Sequence, residues 1–146
     1  MTDEFRHRTR VEVRFRDLDA FGHVNNAVTT SYVEHGRIRY LRDVLGLEPP
    51  GSMAMIMAMI KVDYVTPIFY GETIEVASRV DWIGRSSLAM SHRLTDSEDA
   101  HELARATSVL VAYDYSTARP MPVPDDWRAT LTAHEGRDLT RPAVAT

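Results

Sequence analysis

From Arg16 to Ala27 the chain reads Arg-Asp-Leu-Asp-Ala-Phe-Gly-His-Val-Asn-Asn-Ala, the stretch richest in side chains able to do chemistry. Asp17 and Asp19 are two carboxylates at alternate positions. Held against an electrophile, a carboxylate acts as a general base or attacks directly; in a turn it is more commonly a backbone cap. His23 follows four residues after Asp19. An imidazole there can orient a carboxylate, bond a substrate or simply hold its turn. Asn25 and Asn26 suit a turn that leads into a helix cap. The N–H groups that open a helix lack intrahelical partners and sit at the positive end of its dipole, so they can hold an oxygen gaining negative charge without any special side chain.

Other chemistries are excluded by what the sequence lacks. With no cysteine, the chain has no disulfide framework, thiolate metal site or sulfur nucleophile. His7, His35, His92, His101 and His134 show no metal-ligand spacing with one another, so no metal and no cofactor are expected. No glycine-rich phosphate loop follows a strand, and no serine elbow is present. A formal net charge of −4 supplies no general attraction for nucleic acid. The arginines from Arg6 to Arg16 are broken by Glu12 and lack the apolar run of a secretory signal, while Met53 to Ile60 is too short to span a bilayer. A cytoplasmic protein without nucleic-acid or membrane partners is therefore expected, and 146 residues suggest one domain, 1–146.

The elements that must position these residues follow from periodicity. Val11 to Phe15 alternates like a half-buried strand. Tyr32, Val33, Gly36, Tyr40, Leu41, Val44 and Leu45 form one apolar helical stripe, so a helix is expected over Ser31 to Leu45. Gly46 and Pro49-Pro50 stop it, and its start is open among Asn25, Asn26, Thr29, Thr30 and Ser31, the last with capping-box spacing to Glu34. Gly36 on the buried stripe costs helix propensity, which implies close packing there, with a sheet as the expected neighbour. The period then becomes two: Ile60–Val62–Tyr64, Ile74–Val76–Val80–Trp82, Leu88–Met90–Leu94, and a last strand from about His101 to Tyr115. Gly84-Arg85-Ser86 and Asp96 to Asp99 are the expected hairpin turns. Met53 to Met59, apolar on both parities, fits either a buried strand or a helix. A short helix after Pro124, capped by Asp125 or Asp126, stops at Gly136, and only the two ends look disordered. Hairpin-length links require antiparallel pairing, hence an α+β fold.

The Asp17-to-Asn26 segment, with Tyr32, Glu34 and Arg37 after it, resembles the signature of hotdog-fold acyl-CoA thioesterases of the 4-hydroxybenzoyl-CoA thioesterase-like group, whose D-x-D-x-x-G-x-V segment precedes the central helix. The layout matches from about Val11 to Trp127. The resemblance implies a hotdog fold, an antiparallel sheet of five or six strands wrapped around a long central helix. It also implies hydrolysis of an acyl-CoA thioester to a free acid and CoA. Asp19 matches the family's catalytic carboxylate, which attacks the thioester carbonyl or activates water, with Asp17 as the rival position. Asn26 matches the position whose backbone N–H polarises that carbonyl, and His23 is the third candidate. Tyr32 reads as core or as a wall of the acyl pocket. Glu34 and Arg37 read as an ion pair, although some hotdog enzymes use a helix carboxylate as base. Arg85, with Ser86 beside it, matches a turn that contacts the CoA phosphates. Relatives often carry an aromatic residue where this chain has Thr29. The resemblance further implies a homodimer assembling into a homotetramer, with the site between subunits. Two other readings are an acyl-ACP thioesterase and a non-catalytic acyl-CoA-binding hotdog protein.

Overall fold

The computed structural model describes residues 4–48 and 53–143. Six strands and two helices follow one another as β1 (His7–Glu12), α1 (Asn26–Leu45), β2 (Met55–Tyr64), β3 (Thr73–Ile83), β4 (Ser87–Asp96), β5 (Glu102–Asp114), β6 (Arg119–Pro120) and α2 (Asp125–Glu135), with a short 3-10 turn at Phe15–Asp17 before α1. The strands pair antiparallel in the order β1-β3-β4-β5-β2, and β6 adds two residues beside β5. One face of this sheet covers α1. The antiparallel α+β arrangement expected from the hairpin spacing forms, and the long helix lies against the sheet as the resemblance to hotdog thioesterases implies.

Two hydrophobic clusters lie between helix and sheet. One gathers Tyr40, Leu41, Val80, Met90, Leu110, Trp127 and Leu131, the other Val24, Val33, Ile74, Val76, Leu94 and Leu103. A polar seam separates them: Arg37 from α1, Ser78 from β3, His92 from β4 and Ser108 from β5 are all buried. Gly36 sits at this crossing. A Cβ there would stand 2.4 Å from Val76 Cγ1, so the missing side chain is what lets α1 close on β3.

Several boundaries depart from the periodic reading. The helix starts at Asn26, not Ser31, because the Asn25 side chain accepts from the Ala27 N–H at 2.8 Å and caps it; Ser31 lies in the second turn. It ends as expected at Gly46, in the left-handed region at φ 71°, while Pro49 and Pro50 lie outside the described residues. The first strand is His7–Glu12 rather than Val11–Phe15: polar His7 faces inward at 8% exposure, and Phe15 stands out in solvent on the 3-10 turn. The Met55–Met59 part of the ambiguous run belongs to an edge strand that leaves Ile56, Met57 and Met59 exposed, and is neither helix nor buried strand. A bulge between Val80 and Trp82 breaks the alternation of β3, so Ile83 is buried and Trp82 turns outward under the Arg141 guanidinium, 4.4 Å from the ring. Pro124, not an aspartate, occupies the cap position of α2, and Asp125 and Asp126 fill its first turn. The chain ends are packed where described: Phe5 and Leu139 are buried, and the Leu139 carbonyl accepts from the Ile83 N–H at 2.7 Å.

Candidate functional site

The segment from Asp17 to Asn26 is a tight loop fixed mainly by its own backbone. Leu18 and Val24 form an antiparallel bridge. Inside it the Asp19 N–H donates to the His23 carbonyl and the Gly22 N–H to the Asp19 carbonyl, both at 3.0 Å, and Gly22 takes the positive φ of 86° that so short a reversal requires. The Val24 N–H reaches across to the Ile68 carbonyl at 2.7 Å, which ties the loop to the segment between β2 and β3.

The two aspartates have different surroundings. Asp17 is 3% exposed, and its Oδ2 accepts from the Tyr32 hydroxyl at 2.7 Å and the Arg14 N–H at 2.9 Å. Burial alone would raise its pKa, but these donors and the Arg14 guanidinium outweigh it and hold the carboxyl below its ordinary range. Asp17 is thus committed to the fold, where it joins the loop to α1. Asp19 is half-buried: Oδ1 accepts from the Phe21 N–H at 2.8 Å, and among the described residues Oδ2 accepts nothing. Of the two carboxylates, only Asp19 keeps an oxygen available.

Beside this loop a cavity of about 270 Å³ is lined by His23, Val24, Asn26, Thr29, residues 64–68 and Leu103. His23 donates from Nδ1 to the Val24 carbonyl at 3.1 Å, which leaves Nε2 for a further partner, and its ring stacks on exposed Phe21. Asn26 is the first residue of α1. Its N–H has no acceptor among the described residues, and its carbonyl is held at 2.7 Å by the hydroxyl of Tyr64 at the end of β2. Asn26, a residue of the cavity lining, therefore has an unpaired N–H at the positive end of a twenty-residue helix, with no acidic side chain in its first turn to compete.

The expected site residues fall into three places. His23 and Asn26 line the cavity; Asp19 belongs to the same loop but not to the lining. Tyr32 is core, 3% exposed, and supports Asp17. Its burial raises its pKa, as does the bond it donates to Asp17. Arg85 and Ser86 form the β3–β4 turn at the far end of the sheet: Ser87 pairs with Val111, eight residues along β5 from Leu103, about 27 Å at ~3.4 Å per residue. The Arg85 side chain is exposed and meets no partner among the described residues. Glu34 and Arg37 lie 3.6 Å apart on α1, as an ion pair. Tyr64, Thr66 and Leu103 were not singled out by the sequence, because only the β2–β5 pairing brings them beside the helix start. Asp96, Asp99 and His101 come within 4.8 Å of one another in the β4–β5 turn, where the aspartates cap turn N–H groups. A wider hollow on the other face of the sheet is lined by Arg8, Glu75 and Arg93, each of which has an ionic partner.

Residues 13–131 match the model of the thioesterase-like superfamily, and the chain belongs to that family. Its fold is that of the hotdog thioesterases, and the protein is a thioester hydrolase. Among solved structures it resembles a thioesterase from Thermus thermophilus complexed with coenzyme A and Zn, at 41% identity over 94% of this chain and 100% of that one, with a TM-score of 0.84. Among characterised relatives it is 23% identical to the long-chain acyl-CoA thioesterase FadM of Escherichia coli, over 85% of this chain and 96% of FadM. It is 24% identical to the chloroplastic acyl-acyl carrier protein thioesterase ATL3 of Arabidopsis thaliana, over 84% of this chain and 66% of ATL3. No helix among the described residues is long and apolar enough to cross a membrane.

Proposed function

We propose that the protein hydrolyses acyl-CoA thioesters with Asp19 as nucleophile or general base and the Asn26 N–H as the donor to the developing oxyanion. The observation that carries this reading is the unpaired Asn26 N–H at the head of α1, on a cavity wall beside His23 and the loop that holds Asp19. The thioester carbonyl oxygen accepts from that N–H, which favours the tetrahedral state because the donor and the helix dipole are already oriented before charge develops. Asp19 Oδ2 attacks the carbonyl carbon or removes a proton from a water that attacks it. The carbon–sulfur bond then breaks and its electron pair leaves with the CoA sulfur; in the water route that sulfur takes up the proton Asp19 removed, and in the direct route it leaves as thiolate and is protonated from solvent. In the direct route water afterwards cleaves the acyl-aspartate. His23, with Nε2 free, orients the carboxylate or the acyl group.

CoA as carrier is supported by the likeness to a thioesterase bound to coenzyme A and by the unpaired Arg85 in its glycine-containing turn. Within one chain Arg85 stands too far from the cavity to serve the same ligand end. An antiparallel pairing of β2 with β2 of a second copy reverses one sheet relative to the other, and it brings the 84–86 turn of that copy to the cavity end. The reading therefore includes a homodimer, with the site shared between copies and dimers pairing into a tetramer in the cytoplasm. The likeness to ATL3 favours acyl-ACP as a second carrier, and relative turnover of acyl-CoA and acyl-ACP decides between them.

The decisive measurement is CoA release from a panel of acyl-CoA thioesters. The wild type is expected to turn over at least one of them, and Asp19→Asn to lower kcat at least about a hundredfold. Equal rates in the variant would remove Asp19 from the chemistry. In a single turnover in heavy-oxygen water, label in the enzyme carboxyl marks direct attack, and label only in the acid product marks activated water.

A further inference from the structure

One polar group of the cavity has no part in the chemistry above. Thr29 is 2% exposed and lines the cavity, yet its hydroxyl meets no hydrogen-bond partner among the described residues. A helical threonine normally satisfies its hydroxyl on a carbonyl one turn back. The next residue does so: the Thr30 hydroxyl donates to the Ala27 carbonyl at 2.5 Å. Thr29 has no such bond, and the Asn25 carbonyl one turn below it already accepts from the Val28 and Thr29 N–H groups at 2.8 and 3.3 Å. The hydroxyl therefore opens onto the cavity with no protein partner among the described residues, and an oxygen entering the cavity can take the place of the water that otherwise satisfies it.

Its position says which part of a ligand it meets. Thr29 follows Asn26 by three residues, so the two share a face of α1 with Thr29 about 4.5 Å further along the axis. The remaining lining near Thr29 is apolar, from Val24, Val65, Pro67, Ile68 and Leu103, while the Thr66 hydroxyl is already spent on the Glu102 carbonyl at 2.9 Å. With the thioester carbonyl on the Asn26 N–H, the first few atoms of the acyl group lie against Thr29.

We infer that Thr29 is a specificity-determining residue whose hydroxyl bonds an oxygen on the acyl group a few bonds from the thioester carbon, so that the preferred substrates are hydroxy- or oxo-acyl thioesters rather than plain hydrocarbon ones. This rests on the thioesterase reading and on the Asn26 N–H as carbonyl donor. A pocket whose hydroxyl bonds a substrate oxygen discriminates against the analogue lacking that oxygen more than it discriminates by a missing methylene.

The test compares kcat/KM for butanoyl-CoA, 3-hydroxybutanoyl-CoA and 3-oxobutanoyl-CoA. The wild type is expected to prefer one of the oxygenated substrates over butanoyl-CoA by more than about tenfold. Thr29→Val, close in shape but without the hydroxyl, should abolish that preference, and Thr29→Ser should keep it. If the valine variant fails to fold, the same comparison is read on Thr29→Ala, with the same expected loss of preference. Equal turnover of all three by the wild type, or a preference retained in Thr29→Val, overturns the role of Thr29 and leaves the thioesterase reading standing. Inactivity toward every acyl-CoA overturns that reading as well.

Discussion

Asp17 and Asp19 are separated by one leucine, and the loop gives their carboxylates opposite surroundings. Asp17 receives donors from Tyr32 and Arg14, so its charge is spent on the fold, while Asp19 keeps an oxygen free in the loop that leads into α1. The same distinction between a group satisfied by the fold and one left available governs His92. It lies in the seam under α1, with Ser78 Oγ 2.9 Å from Nδ1. Burial first, and the Arg37 charge second, push its pKa down to about 3. The folded protein therefore keeps His92 neutral where the unfolded chain, with an ordinary value near 6.5, takes up a proton. Stability from this group is complete above about pH 6.5 and falls as the pH drops toward 3, at up to about 1.4 kcal/mol per pH unit. Urea midpoints of wild type and His92→Gln between about pH 7 and pH 5 test this. The stability gap between them should narrow by about 1 to 2 kcal/mol as the pH falls, because only the wild type carries this titration. A gap that stays constant would show that His92 is protonated alike in both states.

At the level of elements, the closest approach of α1 to the sheet is at Gly36, against Val76 and Ser78 of β3. Gly36→Ala places a methyl 2.4 Å from Val76 Cγ1, closer than atoms pack. The expected cost is about 1 to 3 kcal/mol, read as a lower urea midpoint, with a loss of activity as α1 is pushed off the sheet. An unchanged midpoint would mean that helix and sheet can separate freely at that crossing. Gly36 was legible in the sequence because a glycine on a buried helical stripe has few other uses, and β3 and β4 were legible through their period of two. The helix start stays open in the sequence among Asn25 to Ser31, with Asn25 the cap that forms, because the polar Asn26, Thr29 and Thr30 carry no apolar signal, although Thr29 is buried. β1 slipped because an inward histidine does not look like core. The Asp19, His23 and Asn26 loop could be found because its residues are adjacent in the chain. Tyr64 and Leu103 could not, since sheet register alone joins them to that loop.

For the molecule as a whole, the two edges of the sheet differ in a way that bears on the site. β1 exposes Arg8, Arg10 and Glu12, charges that discourage a further strand from adding there. β2 at the other edge exposes Ile56, Met57 and Met59 at 38%, 44% and 43%, an apolar border with unpaired backbone groups that a second copy of the chain would cover. Tyr64, which holds the Asn26 carbonyl, ends that same strand, so an assembly through β2 bears directly on the proposed oxyanion donor. Met57→Lys puts a charge into this border without touching the core or the cavity lining. By light scattering after size exclusion, the wild type should have the mass of a dimer or a multiple of it. The lysine variant should shift toward the monomer with its circular dichroism spectrum kept. Its kcat/KM for acyl-CoA should fall by at least about tenfold, the scale expected when a charge-assisted contact from the 84–86 turn of the second copy is lost. Arg85→Ala in the intact assembly should raise KM without a matching change in kcat, since a phosphate contact remote from the thioester holds ground state and transition state alike. A monomeric Met57→Lys protein with full activity would mean that each chain works alone and that Arg85 serves no ligand.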